Sequence, residues 1–444
     1  MKILFIENRY KTLLWEKIAM HYQELGHEIH WIVQNPQFKP QFGSVNILPF
    51  PQKKQLEKIY TPFIQKVISA DRGIRYFGIE SDDYIFWYNQ IIEKQIDFIQ
   101  PDLVFGEATL FHELLTIDIC RKKDILFLQP STCRYPTNRF SFYLYDTLTP
   151  FGESGDFFSE EEAKEIIDSI VLRKKLPDYM QKIPVSTVSK AKKINDKLKL
   201  SWGFLSGERY NTPAPWKKMA VNKKYKKNIE EWEAMAQDVN VLEEGFYLLY
   251  PMQMQPEANI DVWGNPFNDQ ADMIEWIAKQ LQGNDKLVVK PNPKSKYEIS
   301  QKLLHLKKKY LDKIILLKHS SKMDDIWKHI SFVITVTGTI SIECIFDNKP
   351  VGMFGLGIQG DQKNCIRMRL TDDLNQYIQQ IKNDTFPKLS EEEKIAFLNL
   401  LTNKSFPGIN GDGMYGKHYL DDYDNFNLLI NAYTYILNER KTGI

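Results

Sequence analysis

Residues 332–354 read FVITVTGTISIECIFDNKPVGMF, and their reading decides the fold. Residues 332–336 form a short apolar run with β-branched side chains. Thr337, Gly338 and Thr339 make a small-residue turn, residues 340–346 begin a helical pattern, and residues 351–354 are a second apolar run. A buried strand, a tight turn, a helix and another buried strand make up the repeating unit of a parallel α/β sheet. Moving toward the N-terminus, the same alternation returns. Strands are expected at 246–250, 286–290 and 314–318, with helices at 270–281, 300–310 and 323–329 between them.

The first half shows a similar pattern. Residues 2–6 are an apolar strand, 13–25 carry apolar residues at helical spacing, and Gly26 suits a helix C-terminal cap. Strands at 29–33, 45–48, 103–105 and 125–128 alternate with helices at 82–99 and 111–121. With 444 residues the chain exceeds what one core ordinarily holds. The expectation is therefore α/β, with two Rossmann-like domains whose parallel sheets face a cleft. Residues 1–215 are the first domain, 240–385 the second, and 386–444 are helices packing back across the junction. The Pro213, Pro215 and Lys-rich stretch at 210–227 reads as the connecting segment.

Formal charge is +1, from 58 Lys and Arg against 57 Asp and Glu, which argues against a nucleic-acid partner. Four cysteines, Cys120, Cys133, Cys344 and Cys365, are far apart and form no CxxC pair. That disfavours a disulfide framework or zinc site and fits a reducing, cytoplasmic setting. The opening MKILFIENRY is too briefly apolar for a signal peptide, and no run reaches membrane-spanning length. Membrane contact, if present, is expected to be peripheral.

In open α/β sheets ligands bind beyond the carboxyl ends of the strands. Three loops in the second half qualify. After 246–250 come Gln255 and Glu257, suited to ribose hydroxyls or a base edge. After 286–290, Lys290-Pro-Asn292-Pro offers a cation to a phosphate. After 332–336, the hydroxyls of Thr337, Thr339 and Ser341 surround Gly338, with Glu343 in the first helical turn. Each has a plainer reading as a polar loop, a solvated lysine or ordinary capping. In the first half Glu107 follows the strand at 103–105 and is a candidate catalytic carboxylate, with Asp146 a weaker one. Arg134 and Arg139 are guanidinium candidates for a donor carboxylate, with surface charge as the alternative.

Taken in order, these motifs resemble the capsule polysaccharide biosynthesis proteins, which include the retaining β-Kdo transferases. The resemblance rests on Gln255-Pro-Glu257, on Lys290-Pro-Asn-Pro293, and on Thr337-Gly-Thr-Ile-Ser-Ile-Glu343 followed by Lys349-Pro-Val351. It extends more faintly to Gly106-Glu107 and to Arg134-Tyr-Pro136 with Arg139-Phe140. It implies a GT-B fold and a CMP-activated ulosonic acid donor. It also implies a glycan or lipid-linked acceptor and no metal or other cofactor. The chain departs from the family where His-Pro is usual and Asn292-Pro293 stands instead. Asn carries no titratable proton, so either the donor is a nonulosonic acid such as pseudaminic acid, or Lys290 or His319 serves in its place. Other readings are a UDP- or GDP-hexose transferase, a nucleotide-sugar epimerase, or a non-catalytic assembly subunit.

Overall fold

The computed structural model describes residues 1–9, 11–52, 56–174, 190–411 and 422–442. The chain divides into two compact units. Unit 1 comprises Met1–Ser159, Leu176–Lys217 and Leu398–Ile444, and unit 2 comprises Glu160–Lys175 and Lys218–Phe397. In chain order the strands are β1 (Lys2–Ile6), β2 (Glu28–Val33), β3 (Ser44–Ile47), β4 (Leu103–Phe105), β5 (Leu126–Thr132), β6 (Arg139–Leu144) and β7 (Pro150–Phe151). They continue with β8 (Tyr247–Pro251), β9 (Lys286–Lys290), β10 (Ile314–Leu316), β11 (Ile330–Thr335), β12 (Val351–Met353), β13 (Cys365–Arg367) and β14 (Phe406–Pro407).

In unit 1 the order is β14-β6-β5-β4-β1-β2-β3, with β7 on β6. Strands β3, β2, β1, β4 and β5 run parallel. The direction of winding therefore reverses between β1 and β4, which are paired through Ile3–Leu103 and Phe5–Phe105. Strands β6, β7 and β14 extend the sheet antiparallel. The sequence reading did not anticipate this extension, because these strands carry aromatic residues rather than a helical or alternating signature. The core is aromatic-rich. Phe5 stacks between Trp31 and Phe105, and Tyr433 of the helix Tyr423–Thr442 packs on Phe105, Phe140 and Phe142.

Unit 2 is wholly parallel, with order β10-β9-β8-β11-β12-β13. By appearance along the chain that is the Rossmann order, with its switch point between β8 and β11. Helix starts are set by local chemistry. Asp269 caps Gln270–Gln280 through the N–H groups of Ala271 and Asp272, and Ser300 caps Gln301–Lys309 through Leu303 N–H.

Residues 215–235 form a continuous helix, Pro215–Met235, and the step from one unit to the other, between Lys217 and Lys218, falls within the stretch read as the connecting segment. Pro215 is its first residue, where a missing N–H costs nothing, and the lysine-rich run that follows has good helix propensity. Only Asn228 and Trp232 are buried. They donate to the carbonyls of Ile299 and Leu317. The last strand, β13, was also not foreseen. Gly355, Gly357 and Gly360 precede it, and residues Ile358–Asp361 form a single 3-10 turn. No helix among the described residues is long and apolar enough to cross a membrane.

Candidate functional site

The carboxyl edge of the unit 2 sheet carries two linked clusters. At the switch point, Gln253 follows β8 and reaches the turn after β11. Its amide donates to Thr337 Oγ1 at 2.9 Å and accepts from Thr337 N–H at 3.1 Å. Thr337 in turn donates to Asn259 O at 2.5 Å. Gln270 brackets the same loop, accepting from Gln253 N–H and donating to Gln253 O. Gly338 and Gly355 allow close approach. A Cβ on Gly355 would lie 2.3 Å from the Thr337 methyl, and one on Gly338 2.5 Å from Thr335 Oγ1.

Several residues expected to meet ligand are occupied within the protein. Gln255 is buried. It donates to Asp261 at 2.6 Å and to Asn268 O at 2.9 Å, and it accepts from Gln270 at 3.0 Å. Its amide therefore ties loops together and does not point into a cleft. Ser341 is fully buried and donates to Gly338 O, and Thr337 is spent on Asn259. Glu343 pairs with Arg173 at 2.7 Å. The helix Ile340–Phe346 is only seven residues long. Gly338 and Thr339 are half-buried at this turn, and Glu257 is the N-cap residue of Ala258–Asp261.

The second cluster lies beyond β9 and β10. Lys290 is buried, and its ammonium donates to Pro291 O at 2.9 Å and His319 O at 3.4 Å. Among the described residues no carboxylate forms an ion pair with it. Burial pushes this ammonium down to about 8, against the opposing pull of Glu233. Glu233 accepts from the His319 backbone N–H at 3.0 Å and also pairs with its Nδ1. Its Nε2 meets Ser295 Oγ at 2.9 Å. Ser295 donates to Asn292 O, and the Asn292 side chain caps its own turn through Lys294 N–H at 2.8 Å. Thus Lys290, Asn292 and His319 do come together. Asn292 acts through its backbone carbonyl, and Ser295 and Glu233 join them. Neither addition was visible in sequence. Glu233 lies near the end of the helix Pro215–Met235, past the lysine-rich run, and nothing in a Pro-Asn-Pro-Lys-Ser run marks the serine.

In unit 1 the carboxyl edge at the β1/β4 switch point holds Glu7 and Glu107. Glu107 pairs with Lys11 at 3.4 Å, and Lys11, itself buried, donates to Asn410 O at 2.9 Å. Glu7 is buried and accepts from Arg9 N–H at 2.6 Å and Asn35 N–H at 3.0 Å. Burial outweighs those bonds and pushes its carboxyl up to about 7. His112 Nε2 donates to Glu7 O at 3.0 Å, its Nδ1 accepts from the Asn211 amide at 3.1 Å, and burial pushes it down to about 4, so it is neutral near pH 7. Asn410 is buried with neither side-chain amide atom hydrogen-bonded.

The other unit 1 candidates lie elsewhere. Asp146 sits at the amino edge of the sheet, since Tyr145 N–H bonds Phe127 O and Leu144 pairs with Leu128. It binds Lys66 at 2.5 Å and also Arg121. Burial raises its carboxyl, and these two cations more than reverse that, leaving it below the usual carboxylate range. Arg139 is buried, and its guanidinium is consumed by Ser405, Ser154, Asp156 and Thr402 O. It fastens β6 to the C-terminal segment and is not free for a substrate carboxylate. Arg134 is half-buried beside Cys133, at the carboxyl end of β5.

The two units are both Rossmann-like, with polar residues gathered at each switch point, an architecture of the GT-B-like class. The profile of the capsule polysaccharide biosynthesis proteins matches residues 205–387, and over that segment the chain is similar to this family. Among solved structures, the KpsC β-Kdo 2,7 transferase of Thermosulfurimonas dismutans is 12% identical. The match covers 93% of this chain and 94% of that one, with a TM-score of 0.36. The UDP-GlcNAc 2-epimerase of Methanocaldococcus jannaschii is 12% identical over 90% and 99%, with a TM-score of 0.27. MurG of Acinetobacter baumannii is 9% identical over 97% and 98%, with a TM-score of 0.30. Overlaps this loose distinguish neither donor nor reaction. No curated protein matches the chain.

Proposed function

We propose that this protein is a glycosyltransferase that moves a CMP-activated ulosonic or nonulosonic acid, of the Kdo or pseudaminic acid type, onto a glycan or lipid-linked acceptor with retention. The observation that carries the reading is Lys290. A buried ammonium without a carboxylate partner, at the carboxyl end of a Rossmann strand, calls for an anion, and the nucleotide phosphate is that anion. His319, held by Glu233 and adjoining Ser295, supplies the titratable group that Asn292 cannot. Thr339 and Glu257 flank the neighbouring switch point as contacts for the nucleoside. Glu107 is the carboxylate that faces the oxocarbenium-like centre, as the nucleophile that retention calls for. Arg134 is its guanidinium neighbour for the donor's carboxylate. Asp146 and Arg139 are assigned structural posts. No metal or further cofactor enters the reaction.

The test is nucleotide titration by thermal shift and calorimetry with CMP, UDP and GDP, on the protein and on Lys290→Met. CMP is expected to bind in preference to the other two. Lys290→Met is expected to bind CMP at least about tenfold more weakly, the loss of one charge-assisted hydrogen bond or more. Preference for UDP or GDP overturns the donor assignment, and equal CMP affinity in Lys290→Met overturns the phosphate site. Turnover of CMP-Kdo against CMP-pseudaminic acid then decides the sugar.

A further inference from the structure

The helix Lys190–Ser206 packs one face inward, with Gly203 buried against Asn35 and the helix edge near Gln37. Its opposite face is apolar and open. Ile194, Leu198, Trp202 and Leu205 are 58%, 62%, 63% and 71% exposed. They recur at i, i+4, i+8 and i+11, which places them in one stripe along the helix. Beyond the helix end, Trp216, 62% exposed, meets Phe204 edge-on at 5.5 Å on one flank of the stripe. Single exposed apolar residues need no explanation, but a contiguous stripe that includes Trp202, with exposed Trp216 on its flank, marks a surface that something covers.

The flanks say what covers it. Lys197 and Lys199 are exposed and lie on either side of the stripe, roughly a quarter-turn to each side at 100° per residue. Arg209 stacks over Phe204 at 5.5 Å, and Lys217 is exposed next to Trp216. An apolar face bordered on both sides by cations, with tryptophans at its end, suits a bilayer interface. Tryptophan prefers the headgroup level, and lysine stems run alongside apolar side chains while the ammonium meets lipid phosphate. A second copy of the same face would instead set lysine against lysine.

We propose that this face seats unit 1 on an anionic lipid surface. The helix lies in the interface plane, the Ile194–Leu205 stripe enters the headgroup boundary, and the flanking cations meet acidic headgroups. The inference deepens the transferase reading by giving a lipid-linked acceptor a place of presentation, and it rests on that reading only for its purpose.

The experiment is co-sedimentation of the full chain with phosphatidylcholine vesicles and with phosphatidylcholine–phosphatidylglycerol vesicles, at low and raised salt. Binding is expected to the anionic vesicles, weaker by about tenfold or more without phosphatidylglycerol, and to fall with salt. The double variant Trp202→Ser/Leu205→Ser is expected to lose anionic-vesicle binding about tenfold or more while its melting temperature and CMP affinity stay unchanged, because both side chains are on the surface. A second variant, Lys197→Glu/Lys199→Glu, removes the charge and leaves the apolar stripe, and is expected to lose the preference for phosphatidylglycerol. Equal sedimentation of the protein and the double variant overturns the proposal, as does no binding to either vesicle. A protein that is dimeric by light scattering, becomes monomeric in the double variant and ignores vesicles assigns the face to a second copy and also overturns it. Failure of the transferase reading would show separately, as absence of CMP binding in a protein that still sediments with vesicles.

Discussion

Glu7 and Glu107 end neighbouring parallel strands, yet the protein treats them differently. Glu107 is partly open and faces Lys11, while Glu7 is closed in and held by backbone N–H groups. Glu107→Gln keeps the shape and removes the charge. It is expected to bind CMP-sugar nearly normally and to transfer at least about a hundredfold more slowly, measured by single-turnover transfer with donor titration on the same protein. Full activity in Glu107→Gln would remove the carboxylate from the mechanism. Glu7 gives a stability prediction. Its carboxyl titrates at about 7 in the folded chain against 4.5 as the ordinary value, so the folded state holds the proton longer. Its contribution is full below the unfolded value and is lost as pH rises through the folded one. Urea unfolding from pH 5 to 8 is expected to show the protein losing stability relative to Glu7→Gln across that window. A constant difference would show that Glu7 is ionised throughout. Lys11, at the same switch point, was not legible as a site residue, because a lysine after a first strand looks like any solvated charge.

At the scale of the element, the loops after β8 and β11 act as one piece. Sequence reading located both loops correctly, since each follows an apolar run and carries glycine or hydroxyl residues. It assigned the wrong glutamine to the cleft, because Gln253 and Gln255 are equally polar in sequence and only the packing shows which way each amide turns. Gln255 closes a buried ring with Asp261 and Gln270, whereas Gln253 clamps Thr337. Gln253→Ala removes a donor and an acceptor from the Thr337 turn at once. A loss of about 1–3 kcal/mol is expected by urea unfolding, the cost of leaving such groups without partners. CMP affinity should fall with it, because the turn proposed to contact the nucleoside loses its anchor. Unchanged stability would mean that the turn is held from elsewhere. The stretch 210–227, read as a connecting segment, does carry the step between the units, but its two prolines and lysine run hide the helix Pro215–Met235, which only the placement of Pro215 at the first turn reveals.

Across the whole molecule, the two units repeat one plan with different chemistry at the switch point. Unit 1 presents carboxylates there, and unit 2 presents amides and hydroxyls, with a buried cation one strand away. The parallel order of both sheets was legible from strand–helix alternation alone. The antiparallel strands of unit 1 were not, because a two-residue strand such as β14 is set by its partner and not by its own sequence. This division of chemistry predicts where nucleotide binding will be felt. In hydrogen–deuterium exchange with CMP alone, protection is expected in the loops that follow β8, β9, β10 and β11, around Gln253, Lys290, His319 and Thr337. The β1 and β4 loops around Glu7 and Glu107 should stay unchanged, because CMP lacks the sugar those carboxylates are proposed to meet. A CMP-sugar should then add protection at Glu107. Protection by CMP confined to unit 1 would reverse the assignment of donor and acceptor units. Protection equal in both units would mean that CMP shifts the stability of the whole chain rather than filling a local site.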